Sequence, residues 1–253
     1  MFGPAAAVYA AARPDYPDRV YEILRDRCGV GPSSRILEIG PGTGQATKRL
    51  LSMGGSVVAI EPSHELADRL RAEIGEADGF DVVEAPFEDA DLASSSFDLV
   101  ASATAFHWLD PEVALPKIAA VLRPEAWLAS WWNVFGDPDR PDPFHDATER
   151  VLGDLAPGPS AGPGGVRYAL DIEARIAELA GHGFLDVEHE AVRWTLVLDA
   201  TRTRQLYATF SNVARVPEPT RETILDELRR IAEVEFGGRV ERNMVTPIYT
   251  AHR

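Results

Sequence analysis

The 253-residue chain has a single cysteine, Cys28, and is poor in cationic side chains: 25 Lys plus Arg stand against 40 Asp plus Glu, a formal net charge of −15. One thiol forms neither an internal disulfide nor a multi-cysteine metal site, so the sequence fits a reducing compartment and a cytoplasmic protein is expected. The shortage of Lys and Arg argues against nucleic acid or an anionic membrane surface as partner, because both require clustered positive charge. Even the densest cationic pair, Arg229-Arg230, is flanked by Glu227 and Glu233. Long hydrophobic runs are missing too. The stretch from Trp127 to Phe135 is far shorter than the roughly 20 residues of a membrane helix. The Ala-rich run from Ala5 to Ala12 has no positive charge ahead of it, so it makes a poor secretory leader.

What is present is globular: 45% hydrophobic and 26% charged residues, enough for one large α/β domain or a domain with a subdomain. Short apolar segments at 35–39, 56–61, 80–85, 97–103 and 127–134 alternate with helical patterns at 16–28, 45–53, 63–76 and 111–122. This alternation predicts a mostly parallel sheet covered on both faces. Ser63 is placed to cap its helix. Stretches rich in Pro, Gly and Asp at 136–143 and 156–165 bracket a helical segment at 144–155, which carries Phe144, Ala147, Val151, Leu152 and Leu155 on one face. Residues 137–183 thus read as a small helical cap inserted into a single domain of 1–253, whose core is 17–136 and 184–253. Helices near 171–180, 201–213 and 220–236, a strand near 186–198 and a last strand from Val240 to about Ala251 complete the prediction.

The most informative stretch is Ile36-Leu37-Glu38-Ile39-Gly40-Pro41-Gly42-Thr43-Gly44-Gln45, a strand entering a glycine turn and then a helix. Glycines at 40, 42 and 44 allow a tight turn and a close approach of backbone to ligand. Glu61 follows at the end of the next strand, where nucleoside-binding α/β folds grip ribose hydroxyls. A dinucleotide site uses G-x-G-x-x-G against a pyrophosphate. The spacing here is G-x-G-x-G with the acidic Glu38 before it. That carboxylate opposes a pyrophosphate and suits a ligand carrying an ammonium or sulfonium, which disfavours the rival reading of an NAD-dependent oxidoreductase.

The run from Leu37 to Gly44 resembles the first motif of the class I S-adenosylmethionine-dependent methyltransferases. Ala85-Pro86-Phe87-Glu88 and Phe97-Asp98-Leu99-Val100 resemble that family's adenine-lining segment and fourth strand. Ala103-Thr104-Ala105-Phe106-His107-Trp108 and the stretch from Tyr9 to Pro17 are similar to the small-molecule branch related to trans-aconitate and ubiquinone/menaquinone methyltransferases. The resemblance implies a Rossmann-like, seven-stranded, mostly parallel sheet with an antiparallel last strand, binding S-adenosyl-L-methionine and releasing S-adenosyl-L-homocysteine. It implies that Glu38, Gly40, Gly42 and Gly44 border the methionine part of the cofactor and Glu61, with Pro62 beside it, the ribose. Phe87 and Glu88 would meet the adenine, and Ala103 and Thr104 would lie under the sulfonium. Arg123-Pro124-Glu125-Ala126 departs from the Arg-Pro-Gly-Gly common in the family, in a turn expected to be remote from the cofactor.

His107 has two readings: a general base or orienting group for the methyl acceptor, or a locally bonded wall residue beside Trp108. Tyr9, Arg13 and Tyr16 belong to a 1–16 segment that reads either as a lid over the cofactor or as docking of the first helix. Of Trp131 and Trp132, adjacent at a strand end, at most one is expected to line the pocket. Asp137, Asp139, Asp142, His145 and Asp146 lack a metal-ligand spacing, so no metal is expected. The expected reaction is methylation of oxygen, carbon or nitrogen in a small molecule. A module that binds the cofactor without turnover is the alternative, and oligomeric state is left open.

Overall fold

The computed structural model describes residues 12–155 and 167–253. Tyr9 and the rest of 1–11, and residues 156–166, lie outside the described residues.

The chain divides into two compact units. One comprises Asp15–Asn133, Ala169–Val192 and Thr246–Arg253 and holds the parallel sheet. Its strands are β1 (Arg35–Ile39), β2 (Ser56–Ile60), β3 (Phe80–Val83), β4 (Phe97–Ala103) and β5 (Leu122–Trp131). They lie parallel in the order β3-β2-β1-β4-β5, and β8 (Val240–His252) runs antiparallel on β5 with Ile248 opposite Trp131. Because the chain leaves β1 in one direction for β2 and β3 and returns on the other side for β4, the switch point falls between β1 and β4. Open α/β sheets bind ligands at such a point, beyond the carboxyl ends of the strands.

The connecting helices are α1 (Asp18–Asp26), α2 (Gln45–Ser52), α3 (His64–Ile74) and α4 (Pro111–Val121). Helix α1 starts at Asp18 rather than Tyr16, because a residue before proline is driven out of the helical region and Pro17 takes the N-cap. Its apolar face, Val20, Tyr21, Ile23 and Leu24, packs with Ile36, Leu50, Val57, Leu99 and Trp131. Ser63 does cap α3, accepting from the Leu66 N–H.

Strand β5 departs from expectation at both ends. It begins at Leu122, and its register on β4 shifts between Phe97↔Leu122 and Leu99↔Trp127, with Glu125 in the left-handed region at φ 64°. It stops at Trp131, after which the two-residue β6 (Val134–Phe135) pairs with β8, so the strands among the described residues number eight where seven were expected. The break follows from Asn133, whose side chain accepts from the Thr246 hydroxyl and donates to the Asp15 carbonyl.

The second unit comprises Met1–Pro14, Val134–Tyr168 and Arg193–Val245. The boundaries differ from the 137–183 insertion suggested by composition: α5 (Pro143–Leu152) shares a core with later residues, whereas α6 (Ile172–Gly181) belongs to the unit of the sheet. Strands β7 (Leu185–Leu198), which pairs with β8, and β8 contribute residues to both units. The helix expected over 201–213 is two, α7 (Ala200–Ala208) and α8 (Ser211–Ala214), separated where Phe210 is extended and stacks on Tyr207. With α9 (Thr220–Val234), they enclose Phe144 among Leu198, Leu206, Leu228 and Ile231. Arg242, 2% exposed, donates to Asp142 Oδ2 at 2.7 Å and to the Tyr207 hydroxyl, while Asp142 Oδ1 caps α5 through the His145 N–H. Among the described residues no helix is long and apolar enough to cross a membrane.

Candidate active site

The glycine turn leaves β1 at the switch point, and its three glycines are not equivalent. Gly40 has φ 68°, and a Cβ there would stand 2.4 Å from the Ala105 Cβ. Gly44, at φ 86°, would place a Cβ 2.7 Å from Leu70 Cδ1, where α2 meets α3. Only at Gly42, φ 57°, would a Cβ meet nothing within 4 Å. A Cβ at Gly40 or Gly44 would meet a neighbouring side chain, and Gly42 is the one of the three that faces open space. Ala105 was not singled out in the sequence; nothing local marks it, since its importance lies in meeting Gly40 across the sheet.

Glu38 is 1% exposed, and neither of its carboxylate oxygens has a hydrogen-bond partner among the described residues. Burial pushes its carboxyl up to about 7, with Thr47 opposing the shift and the charge of Glu61 adding to it. The Thr47 hydroxyl, the Tyr21 hydroxyl and Trp131 Nε1 are likewise buried without partners among the described residues. Buried polar groups are normally bonded, and each orphan requires an explanation. Glu61, 4% exposed, accepts from the N–H groups of Gly42 at 3.2 Å and Ser63 at 3.0 Å, and burial raises its carboxyl as well. A carboxylate has about four lone-pair directions, so Glu61 retains capacity for further donors.

At the end of β4, Ser102 Oγ donates to the Ile39 carbonyl, and Thr104 takes φ 59°, a conformation that strains a β-branched residue. The Thr104 N–H donates to the Trp131 carbonyl at 2.7 Å, and its hydroxyl is 2.8 Å from the Tyr16 hydroxyl. Trp131 points into the core, edge-on to Tyr16 and Tyr21. Trp132 is on the opposite face and donates from Nε1 to His107 Nδ1 at 3.1 Å. Burial pulls the His107 imidazole down to about 4. Trp108, tilted over His107 at 5.1 Å, is 66% exposed.

The other expected residues are more dispersed. Phe87 is buried, with Lys117 Nζ 5.3 Å from its ring centre, and the Glu88 carbonyl accepts from that same Nζ. Pro62 follows Glu61 into the start of α3. Ala103 is half-buried at the end of β4. Arg13 lies in the second unit, bonded to the Thr209 hydroxyl and carbonyl and placed over the Phe210 ring at 4.9 Å. A cavity of about 410 Å³ near Ser34, Asp98, Arg123 and Glu125 is at the opposite edge of the strands from the glycine turn. Among the described residues no group of three or more His, Cys, Asp or Glu is placed to hold a metal.

Residues 37–130 match the methyltransferase domain family. An uncharacterized methyltransferase of Mycobacterium tuberculosis is 30% identical over 230 residues, covering 91% of this chain and 84% of its own length. The chain belongs to the class I S-adenosylmethionine-dependent methyltransferases. The methyltransferase shares its fold with a protein of Anaeromyxobacter dehalogenans provisionally described as a type II methyltransferase (TM-score 0.64, 21% identity, 95% of this chain and 97% of that one). It shares it also with phosphoethanolamine N-methyltransferase 2 of Haemonchus contortus, solved with phosphomonomethylethanolamine and S-adenosylhomocysteine (TM-score 0.58, 14% identity, 98% and 57%).

The cofactor of this methyltransferase is S-adenosylmethionine, and the turn fits it. The orphaned Glu38 carboxylate matches an ammonium group, and the open side of Gly42 admits a ligand against the backbone. A pyrophosphate would set like charges against Glu38.

Proposed function

We propose that this methyltransferase acts on a small-molecule acceptor, at oxygen, carbon or nitrogen, and that Glu38, Gly40, Gly42, Glu61, Phe87, Glu88, Ala103 and Thr104 border the cofactor. The single observation that carries the acceptor class is the state of the surface cations. Arg19, Arg49, Arg71, Arg123, Arg204, Arg229 and Arg230 are each paired with carboxylates. Their positive charge is thereby neutralised, and a polyanion would meet a net repulsive field. The run from Ala103 to Trp108, similar to the trans-aconitate and ubiquinone/menaquinone branch, supports the same reading. So does the small phosphobase bound by the Haemonchus neighbour.

When bound, the cofactor supplies an electrophilic methyl group. In this reading Glu38 pairs with its ammonium, Glu61 accepts from its ribose hydroxyls, and the Gly42 backbone permits close approach. The end of β4, tied down by Ser102 and by Thr104 with Tyr16, presents the acceptor to the methyl group. Rate then comes chiefly from alignment and exclusion of water. The test is transfer of radiolabel from methyl-labelled S-adenosylmethionine in a cell extract. Label in the low-molecular-mass fraction supports the reading, and label confined to RNA or DNA would sink it.

A further inference from the structure

The segment that follows β3 leaves the sheet beside the glycine turn and is held by a lysine from another element. The Glu61 N–H donates to the Val83 carbonyl at 3.0 Å, and the Glu61 carboxylate accepts from the Gly42 N–H, so the chain departs β3 next to that turn. Residues 86–90 then wind once: the N–H groups of Asp89 and Ala90 donate to the Pro86 carbonyl, each at 3.1 Å, and Ala90 also reaches the Phe87 carbonyl. Lys117, on α4, fixes the winding. Its Nζ donates to the Glu88 carbonyl at 2.9 Å and to the Ala90 carbonyl at 2.5 Å, and stands 5.3 Å from the centre of the buried Phe87 ring. Bonds from an ammonium are roughly twice as strong as neutral ones, and the aromatic ring adds a cation–π attraction. The chain has two lysines, and the other, Lys48, pairs with Glu73 at the surface. These bonds engage the carbonyls of Pro86, Phe87, Glu88 and Ala90, while the N–H groups of Phe87 and Glu88 and the Glu88 carboxylate take no part in them. An N–H donor beside a carboxylate acceptor matches the ring nitrogen and exocyclic amine of adenine; hypoxanthine presents the reverse.

We propose that Lys117 is a positioning residue for the base of the cofactor: by tying down the Glu88 and Ala90 carbonyls it sets the winding in which Phe87 and Glu88 meet adenine, and so supports a preference for adenine over hypoxanthine. Lys117 acts through this segment and not by contact with the cofactor. The proposal rests on the reading of Phe87 and Glu88 as residues that border the cofactor.

The test compares S-adenosylhomocysteine with its hypoxanthine analogue, S-inosylhomocysteine, by calorimetry on wild type, Lys117→Met and Lys117→Arg. Methionine keeps most of the apolar stem and removes the charge and its donors. In Lys117→Met, affinity for S-adenosylhomocysteine should fall about tenfold, the range of one bond to a charged group, and affinity for the analogue much less, so the adenine preference shrinks. Lys117→Arg, which keeps charge and donors, should recover part of it. Unchanged affinity, or equal losses on both ligands, overturns the proposal, because a merely structural lysine would weaken both alike. A second measurement needs no variant at position 117. In ¹⁵N-lysine-labelled protein the two ammonium signals are assigned by loss of one in Lys48→Arg, and saturating S-adenosylhomocysteine should shift that of Lys117; no shift overturns the proposal. If S-adenosylhomocysteine fails to bind wild type, the cofactor reading falls and the proposal with it, whereas binding without an adenine preference overturns the proposal alone.

Discussion

Glu61 accepts a hydrogen bond from the Gly42 N–H at 3.2 Å, so the end of β2 holds the glycine turn of β1 from the side. The same carboxylate supports the turn and, in the proposed reading, accepts from the ribose hydroxyls with its remaining lone pairs. Glu61→Ala should weaken S-adenosylhomocysteine binding about 10- to 100-fold, the range for bonds to a charged group. Glu61→Gln, which keeps one acceptor oxygen, should lose less. Calorimetry on the pure protein checks both, and unchanged affinity in Glu61→Ala would remove the ribose assignment.

The glycines should separate by mutation. Gly42→Ala suffers only the left-handed backbone, about 1–2 kcal/mol, but puts a methyl group where the ligand approaches. Its urea midpoint should fall modestly and its cofactor affinity sharply. Gly40→Ala adds the clash with Ala105 and should lose more stability; Ala105→Gly in that background should recover part of it.

Glu38 predicts a pH dependence. With its carboxyl at about 7 in the ligand-free protein, an ammonium must displace a proton below that pH. Affinity for S-adenosylhomocysteine should rise by up to about tenfold per unit as pH approaches 7 and then level off. Glu61, shifted in the same direction, adds to the slope. Glu38→Gln should bind weakly and lose most of this slope. Stability of the ligand-free protein runs the other way. The folded carboxyl stands above its unfolded value of 4.5, so its contribution is present at low pH and lost as pH rises through about 7. At pH 8 Glu38→Gln should therefore melt higher than wild type.

In the second unit, Asp142→Asn leaves the Arg242 guanidinium buried without its counter-charge. It should cost about 3–5 kcal/mol in urea unfolding. Arg242→Met added to Asp142→Asn should restore much of that loss, because no buried charge remains.

The parallel strands and the glycine turn were legible because their signals are local: short apolar runs, a G-x-G-x-G spacing, a carboxylate at the end of the next strand. The break at Trp132 and the extra strand β6 were not. They depend on Asn133 meeting Thr246 and on Val134 pairing with Val245, partners more than a hundred residues away. The boundary of the second unit was hidden for the same reason, since Phe144 finds its core among residues 198–240. Arg13 and Tyr16, three residues apart, belong to different units, which no composition shift announces.

By itself, the sequence determined the acidic character, the α/β alternation and, through the resemblance of residues 37–44 to the methyltransferase motif, the expected class of cofactor. Tertiary structure decided where each residue sits there. It chose Gly42 over Gly40 and Gly44 as the open position, sent Trp131 to the core and Trp132 to the other face, and brought Trp132 Nε1 to His107 Nδ1. These outcomes depend on side chains brought together from separate strands and helices, and a hydrogen-bond donor 25 residues away in the chain leaves no mark on the residues around His107.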